Sequence, residues 1–199
     1  MKGTTDKRLT FGGDDREINL FGFSDASYVT KHDSLSQLAY CFFLNKTSGT
    51  ICARSKKDTT VSHSSAEAEI KAIDLATLQA VWIRGLLGEL GYPQLKPTVI
   101  YTDSISAKTL AETLHTSSSS AHLVVRINFI HQEIASGAIT LKYIDTNNMV
   151  ADVLTKALPA TSFQRHSEAL LSGFGNALPI IVKRSTRSRT SKRAKKSSK

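Results

Sequence analysis

The sequence has few cysteines and no long apolar run. Its 2 cysteines, Cys41 and Cys52, lie inside apolar, strand-like stretches and form no Cys-x-x-Cys pair. We therefore predict buried free thiols in a reducing compartment, with neither a disulfide nor a zinc site. No apolar stretch approaches the length of a bilayer span, and the opening residues "MKGTTDKRLT" lack the apolar core of a signal peptide. We expect a soluble protein that is not secreted and has no membrane partner.

Acidic residues are absent from residues 183–199, which hold nine of the 26 basic residues. The remaining 17 basic residues match the 17 acidic residues, so the formal net charge of +9 comes entirely from this tail. The tail has a single apolar residue, Ala194, and we expect it to be disordered in isolation. Two interpretations stay open: a solvated solubility tail, or a segment that binds polyanions or directs nuclear import.

The order of apolar and polar residues predicts an α/β domain with a mixed sheet. Short aromatic and apolar runs indicate strands, and a helical pattern that begins after Ser64 and ends before Gly91 indicates one long helix. The predicted elements are strands 18–24, 37–44 and 50–54, a helix 65–90, a strand 97–102, a helix 104–115, a serine-rich loop 116–120, a helix 122–135, a strand 138–144 and a helical region from 148. The first three strands suggest an antiparallel meander.

Two glutamates, Glu67 and Glu69, lie at the start of the long predicted helix. A helix turns by about 100° per residue, so their side chains point to nearly opposite sides. Steps of three and four residues from Glu69 reach only apolar residues, whereas the steps from Glu67 reach Lys71 and Asp74. We predict that Glu67 caps the helix on its solvent side and pairs with Lys71, and that Glu69 lies on the stripe that packs against the sheet.

A buried acid needs a partner or a metal ion, and other acids lie where strand and helix ends can bring them together. Asp25 follows the first predicted strand in "GFSDAS", Asp103 ends the fourth in "IYTDS", and Asp152 lies in "NNMVADVLTK" on the last helical region. Taken singly, each Asp is more often a turn residue or a helix cap than a ligand. Their joint pattern with Glu69 favours a shared site.

The segments that carry these acids resemble the ribonuclease H domain at the C-terminal end of copia-type (Pseudoviridae-like) LTR retrotransposon Pol polyproteins. The matching stretches are "GFSDAS", "ARSKKDTTVSHSSAEAEIKAI", "VWIRGLLGELG", "TVIYTDSISA" and "MVADVLTKALP". The resemblance implies an α/β, ribonuclease H-like fold over 18–160, with a five-stranded mixed sheet of three antiparallel and two parallel strands and helices on both faces. It also implies a linker from an upstream polyprotein region over 1–17, and a C-terminal helix and extension over 161–182 before the basic tail 183–199.

By the same resemblance, Asp25, Glu69, Asp103 and Asp152 are the catalytic acids and bind two Mg²⁺ ions, for which Mn²⁺ can substitute. Carboxylate oxygens suit such hard cations, and two ions can activate water and stabilise the leaving oxygen of a phosphodiester. The implied reaction is endonucleolytic cleavage of the RNA strand of RNA–DNA hybrids during reverse transcription. The implied partners are the hybrid and the reverse transcriptase region of the same polyprotein. We expect a cytoplasmic location in virus-like particles, and nuclear entry if the tail is a targeting signal.

Basic and hydroxyl residues near the acids are candidates for nucleic-acid binding. The stretch "ARSKKD" places Arg54, Lys56 and Lys57 between the third predicted strand and the long helix. A solvated loop without phosphate contacts accounts for these basic residues equally well. The other candidates are Ser24, Ser27, Ser104 and Lys156. The serines fit turns and helix caps better than substrate contacts.

The chain departs from the family pattern in two places. Bacterial and vertebrate cellular ribonucleases H carry a mobile histidine just before the last Asp, whereas residues 143–148 contain none; copia-type relatives also tend to lack this histidine. The family's Lys-His-Ile-Asp pattern before the third helix reads "AHLV" over 121–124, which retains His122 and is followed by Arg126. The alternative function is therefore a catalytically weak or inactive nucleic-acid-binding remnant of the polyprotein. Integrase cores fit less well, because their Glu comes last among the acids and here it comes second.

Overall fold

The computed structural model describes residues 6–12, 18–28, 34–113 and 121–174 of the chain. Its strands are β1 (Phe21–Ser27), β2 (Gln37–Phe43), β3 (Cys52–Lys57), β4 (Thr98–Thr102) and β5 (Ile139–Tyr143). They form one sheet in the order β3-β2-β1-β4-β5. The β1–β2 and β2–β3 pairs are antiparallel, and the β1–β4 and β4–β5 pairs are parallel. The predicted mixed sheet, with its antiparallel meander, is confirmed.

Helices cover both faces of the sheet, as predicted. Within the described ranges they are α1 (Ser65–Glu89), α2 (Ile105–Glu112), α3 (Ala121–Ala135), α4 (Asp152–Thr155) and α5 (Ala160–Ser172), with a 3₁₀ turn over Thr146–Asn148. Helices α1, α2 and α3 share one apolar core with the sheet, and the chain around α4 and α5 shares a second core on the other face. None of the helices in the described ranges is both long enough and apolar enough to span a membrane.

The stripe of α1 that contains Glu69 packs against the sheet, as predicted. Its later members are buried: Ile73, Ala76, Ala80, Ile83 and Leu87. The Ser64 hydroxyl caps the helix by accepting from the backbone N–H of Glu67 at 3.1 Å, and the Glu67 Oε2 accepts from the backbone N–H of His63 at 2.9 Å. These reciprocal bonds satisfy donors that the first helical turn leaves free. The predicted helix start is therefore confirmed in phase and in capping.

The opposite stripe of α1 is buried in its first turns and exposed further along, so the predicted solvent exposure of Lys71 and Asp74 is wrong, whereas the predicted pair of Glu67 with Lys71 is confirmed. Lys71 and Asp74 are only 6% and 5% exposed. Lys71 Nζ lies 3.0 Å from Asp58 Oδ2 and 3.2 Å from Glu67 Oε1, while Asp74 pairs with Arg126 of α3. The chain before α1 and helix α3 cover this stripe, and the polar side chains remain there because each has a partner of opposite charge.

The second core contains a group of packed aromatic rings. Phe174 lies 5.6 Å from Phe23 and 5.0 Å from Phe43 between ring centroids. Gly173 permits this arrangement, because it has a φ of 78° and an added Cβ would lie 2.6 Å from the carbonyl oxygen of Lys46. The end of α5 and the residues after it thus pack on the same sheet as the rest of the domain. The boundary placed after residue 160 stays a prediction.

Several predicted boundaries differ from the structure. Strand β1 continues to Ser27, because its pairing with β2 extends to Gln37, so Asp25 lies inside the strand and not after it. Strand β3 continues to Lys57, so the basic residues of "ARSKKD" lie on an edge strand and not in a loop. The predicted last helical region is a 3₁₀ turn followed by two helices. The predicted serine-rich loop 116–120, most of the 1–17 linker and the tail 183–199 lie outside the described residues.

Both cysteine thiols are free within the described residues. Cys41 is fully buried and Cys52 is half-buried, and burial raises the pKa of both thiols. The predicted burial is thus found for Cys41 and only in part for Cys52.

Candidate metal centre

Three carboxylates from different elements converge at one edge of the sheet. Asp25 lies in β1, Glu69 in the second turn of α1 and Asp103 directly after β4, and one oxygen of each lies within 4.8 Å of the others. The strand register explains part of this meeting. Strands β1 and β4 run parallel with Phe23 opposite Tyr101, and Asp25 and Asp103 are each two residues further along. Glu69 joins them because α1 packs across β1.

The environment of two of these acids disfavours their charged forms. Burial, followed by the neighbouring Asp25 and Asp103, raises the pKa of Glu69 to about 9. Burial also raises the pKa of Asp25 to about 7, although Lys156 and Thr155 act in the opposite direction. Desolvated carboxyl groups close together cannot all carry charge unless a cation compensates them.

The same geometry fits a divalent cation with oxygen ligands. Glu69 is 8% exposed, and its Oε2 is buried without a hydrogen-bond partner among the described residues. An orphaned, buried carboxylate oxygen beside two further carboxylates is the donor set that Mg²⁺ or Mn²⁺ prefers. Asp25, Glu69 and Asp103 therefore could hold such an ion.

Asp152 lies beside this group but does not belong to it. It begins α4, is 4% exposed and is close enough to raise the pKa of Asp25. Its Oδ1 lies 2.9 Å from Lys156 Nζ, and the same ammonium lies 3.9 Å from Asp25 Oδ2. The structure thus brings all four predicted acids to one region. The Lys156 ammonium lies between Asp152 and Asp25. The catalytic and metal-binding roles of the four stay predictions.

Thr155 contacts the candidate site and is not among the residues predicted from the sequence. Its buried hydroxyl donates to the Asp25 carboxylate, which lowers the pKa of Asp25 against the larger effect of burial. A signal for it was present, because Thr155 and Lys156 follow Asp152 by three and four residues and so share its helical face. Predicting the contact with Asp25 also required knowing how α4 lies against β1.

The three predicted serines have different surroundings. Ser24 is fully buried in the protein alone, and its contact with nucleic acid stays a prediction. Ser104 accepts from the backbone N–H of Ala107 at 3.2 Å and caps α2, as its alternative interpretation expected. Ser27 is half-buried at the end of β1, and its contact with nucleic acid stays a prediction.

The basic residues of β3 lie on the edge of the sheet nearest α4. The Ser55 hydroxyl donates to the Leu154 carbonyl at 2.5 Å and joins the two elements. Side chains alternate along a strand, so Lys57 points to the same face as Ser55, and Arg54 and Lys56 point to the other. Arg54 and Lys57 are exposed and Lys56 is half-buried. Their contact with phosphates stays a prediction.

Comparison with known proteins gives relatives among transposon polyproteins. The chain is 32% identical over 154 residues to the retrovirus-related Pol polyprotein from transposon RE1 of Arabidopsis thaliana, a match that covers 77% of this chain and 10% of that protein. It is also 32% identical over 165 residues to the corresponding polyprotein from transposon TNT 1-94 of Nicotiana tabacum, covering 82% and 12%. The chain thus spans about a tenth of these relatives. No protein-family model matches it.

Solved structures share the fold at low sequence identity. LC11-RNase H1, isolated from compost, superposes with a TM-score of 0.52 at 12% identity, covering 69% of this chain and 93% of that one. The same protein has been solved in complex with an RNA/DNA hybrid, which gives a TM-score of 0.51 at 11% identity and covers 69% and 94%. A prototype foamy virus protease-reverse transcriptase superposes with a TM-score of 0.51 at 15% identity, covering 81% and 21%. At these identities the likeness shows a ribonuclease H-like fold.

Proposed function

The chain is a homologue of the Pol polyproteins of copia-type transposons and has a ribonuclease H-like fold, and from this premise we propose that it is a metal-dependent ribonuclease H. Its substrate is the RNA strand of an RNA–DNA hybrid, which it cleaves endonucleolytically during reverse transcription. The observation that carries the proposal is the group of Asp25, Glu69 and Asp103, with the unpaired Oε2 of Glu69 buried inside it. The hybrid-bound structure of LC11-RNase H1 supports the choice of substrate.

The four acids serve two ion positions in this proposal. Asp25, Glu69 and Asp103 hold a Mg²⁺ ion, which Mn²⁺ can replace, and Asp152 completes the ligands for a second one. When bound, such ions lower the pKa of water and stabilise negative charge on a phosphate. Thr155 holds the Asp25 carboxylate in position through its hydrogen bond. Asp103 is positioned in the same way, because the Thr146 hydroxyl donates to its Oδ2 at 2.8 Å.

Hybrid recognition needs contacts with phosphates and a means of telling RNA from DNA. The 2′-hydroxyl marks the RNA strand and is accessible across the shallow minor groove without reading bases. Basic side chains on the edge strand β3 would supply phosphate contacts beside α4, where Ser55 already bonds to Leu154. Among them, Lys57 points to the face of the sheet that carries α4.

A cleavage assay tests the proposal. A hybrid with labelled RNA should be cut by the full chain with Mg²⁺ and remain intact with EDTA, while double-stranded DNA remains intact throughout. Asp103→Asn should reduce the rate by several orders of magnitude, because a lost ligand removes charge from the metal site and from the transition state. Asp145→Asn is the matched control, since Asp145 is exposed and caps the 3₁₀ turn through an oxygen that Asn retains.

The assay also decides between cleavage and binding alone. Equal rates for the parent and Asp103→Asn would reject the site. Hybrid that is bound but never cut would favour the alternative of a nucleic-acid-binding remnant. The replacement of the family's Lys-His-Ile-Asp pattern by "AHLV" over 121–124 is the observation that motivates this alternative.

The wider setting is also part of the proposal. Because the chain spans about a tenth of its polyprotein relatives, we propose that it acts next to the reverse transcriptase region of the same polyprotein. We propose virus-like particles in the cytoplasm as its location, and the nucleus if the basic tail is a targeting signal. Fractionation of cells that express a tagged chain, with and without residues 183–199, tests this.

A further inference from the structure

A lysine ammonium lies in the gap between two of the buried carboxylates. Lys156 Nζ is 2.9 Å from Asp152 Oδ1 and 3.9 Å from Asp25 Oδ2. The side chains of Asp25 and Asp152 are 1% and 6% exposed, whereas that of Lys156 is 37% exposed. The lysine thus reaches from the surface, at the C-terminal end of α4, into the acid cluster, which consists of Asp25, Glu69, Asp103 and Asp152.

The acid cluster therefore contains two unlike cation positions. Between Asp25 and Asp152, a positive charge of the chain itself already compensates the carboxylates. The Oε2 of Glu69 and the Oδ1 of Asp152 are both buried without a hydrogen-bond partner of good geometry among the described residues. Of the two, the Asp152 oxygen has an ammonium at ion-pair distance, 2.9 Å away, and the Glu69 oxygen, beside Asp25 and Asp103, has none. An ammonium and a divalent cation cannot share one pair of carboxylate oxygens, since like charges repel strongly at such short range.

We propose that Lys156 is a built-in counterion that takes the cation position between Asp25 and Asp152. In the absence of nucleic acid, the chain binds one divalent ion firmly through Asp25, Glu69 and Asp103. A second ion binds only when the Lys156 side chain moves away. This inference rests on the proposed function, because it presupposes the metal site. Lys156 neutralises the two acids before nucleic acid is bound, and therefore before it could contact a phosphate.

Counting bound ions in the absence of nucleic acid tests the inference. The full chain is titrated with Mn²⁺ by calorimetry, as the parent, as Lys156→Met and as Lys108→Met. The last variant is a matched control, because Lys108 forms an i, i+4 pair with Glu112 on the surface of α2, at 2.5 Å. We expect one firmly bound ion in the parent and in Lys108→Met. In Lys156→Met, the second ion should bind about tenfold more tightly or better.

A crystal of Lys156→Met soaked in Mn²⁺ gives a second readout. Anomalous scattering should place an ion between Asp25 and Asp152 in the variant and only the other ion in the parent. Lys156→Gln serves in the same way if the Met variant does not fold. One ion in every protein with unchanged affinities would overturn the inference and leave the metal site standing. No bound ion in any protein would overturn both.

Discussion

Glu67 and Glu69 stand two residues apart at the start of α1, and their carboxyl groups have pKa values shifted in opposite directions. Burial opposes the shift of Glu67, but the backbone N–H of His63 and the ammonium of Lys71 outweigh it and lower its pKa. Burial and the neighbouring acids raise the pKa of Glu69 to about 9. One glutamate is thus fitted to carry a charge in the protein alone, and the other to stay protonated unless a cation is bound.

The first prediction exchanges each glutamate for glutamine. Glu69→Gln should abolish hybrid cleavage, because it removes a proposed metal ligand, and should leave the metal-free protein as stable or more stable, because carboxylate repulsion is relieved. Glu67→Gln should cut at nearly the parental rate and lose about 1 kcal/mol of unfolding free energy, because its charged contact with Lys71 at 3.2 Å is weakened. Cleavage rates and urea unfolding measure both effects. A dead Glu67→Gln with an active Glu69→Gln would reverse the assignment.

The second prediction concerns the pH dependence of stability without metal. In the folded protein the pKa of Asp25 is about 7 instead of 3.8, and that of Glu69 is about 9 instead of 4.5. Between its two pKa values, each group is protonated more often in the folded protein than in the unfolded chain. The stability of the folded protein due to these groups is therefore full below about pH 4 and falls as the pH rises towards 9. Urea midpoints in EDTA should show a steeper fall for the parent than for Glu69→Gln.

The comparison with Glu69→Gln isolates the acid cluster. Burial lowers the pKa of His166, and this group changes stability in the opposite sense, since the unfolded chain protonates it more readily as the pH falls. Its contribution is the same in both proteins and cancels in their difference. Saturating Mg²⁺ should remove the difference in slope due to Glu69. Parallel pH profiles for the two metal-free proteins would contradict the prediction.

The third prediction concerns the buried ion pair between Lys71 and Asp58. Lys71→Met should lower the unfolding free energy by about 3–5 kcal/mol, because it leaves the Asp58 carboxylate buried without its cation. The double variant Lys71→Met with Asp58→Asn should recover part of this loss. Lys108→Met, at the exposed pair with Glu112, should cost less than about 0.5 kcal/mol. Urea unfolding of the full double-mutant cycle measures the coupling, and additive losses would show that the pair is not coupled.

The fourth prediction compares two buried threonines by the same isosteric change. Thr155→Val removes the hydroxyl that donates to Asp25 and should weaken Mn²⁺ binding several-fold, because that carboxylate loses its positioning. Thr77→Val should leave Mn²⁺ binding unchanged and be neutral or stabilising, because the Thr77 hydroxyl is buried without a hydrogen-bond partner among the described residues. Calorimetry and unfolding measure the two effects. Equal Mn²⁺ affinities for the two variants would remove Thr155 from the site.

The fifth prediction concerns the basic tail, whose nine positive charges have no acidic counterpart within 183–199. Deleting these residues should weaken hybrid and duplex binding alike and reduce the dependence of affinity on salt, because fewer counterions are released from phosphates. The unfolding midpoint should stay the same. Binding isotherms at several salt concentrations provide the measurement, and an unchanged slope would show that the tail makes no phosphate contacts.

Local patterns in the sequence were enough to predict most of the framework. The phase of α1 follows from the apolar residues at steps of three and four from Glu69, and its start follows from the reciprocal caps of Ser64 and Glu67. These are contacts within one turn of chain, so the residues that make them are neighbours in the sequence. The positions of Asp25 and Asp103 near the ends of adjacent strands were also visible, although Asp25 lies inside β1.

Pairing between distant segments decided what the sequence left open. The ends of β1 and β3 are rich in polar residues, a composition that is typical of loops. They form strands because β2 offers hydrogen-bond partners on both of its sides. Lys71 and Asp74 look like a solvated face, and they are buried because the chain before α1 supplies Asp58 and α3 supplies Arg126. Intrinsic preferences are weak beside such tertiary contacts.

The sequence by itself determined which acids could serve this protein, since residue type and helical phase are local properties. Only the tertiary structure decided which of these acids share one cation position and which are paired by a lysine. It grouped Asp25, Glu69 and Asp103 within 4.8 Å and set the Lys156 ammonium between Asp152 and Asp25. The physical reason is that this division depends on distances between β1, β4, α1 and α4. Those distances are fixed by packing across the whole sheet, and local sequence carries no record of them.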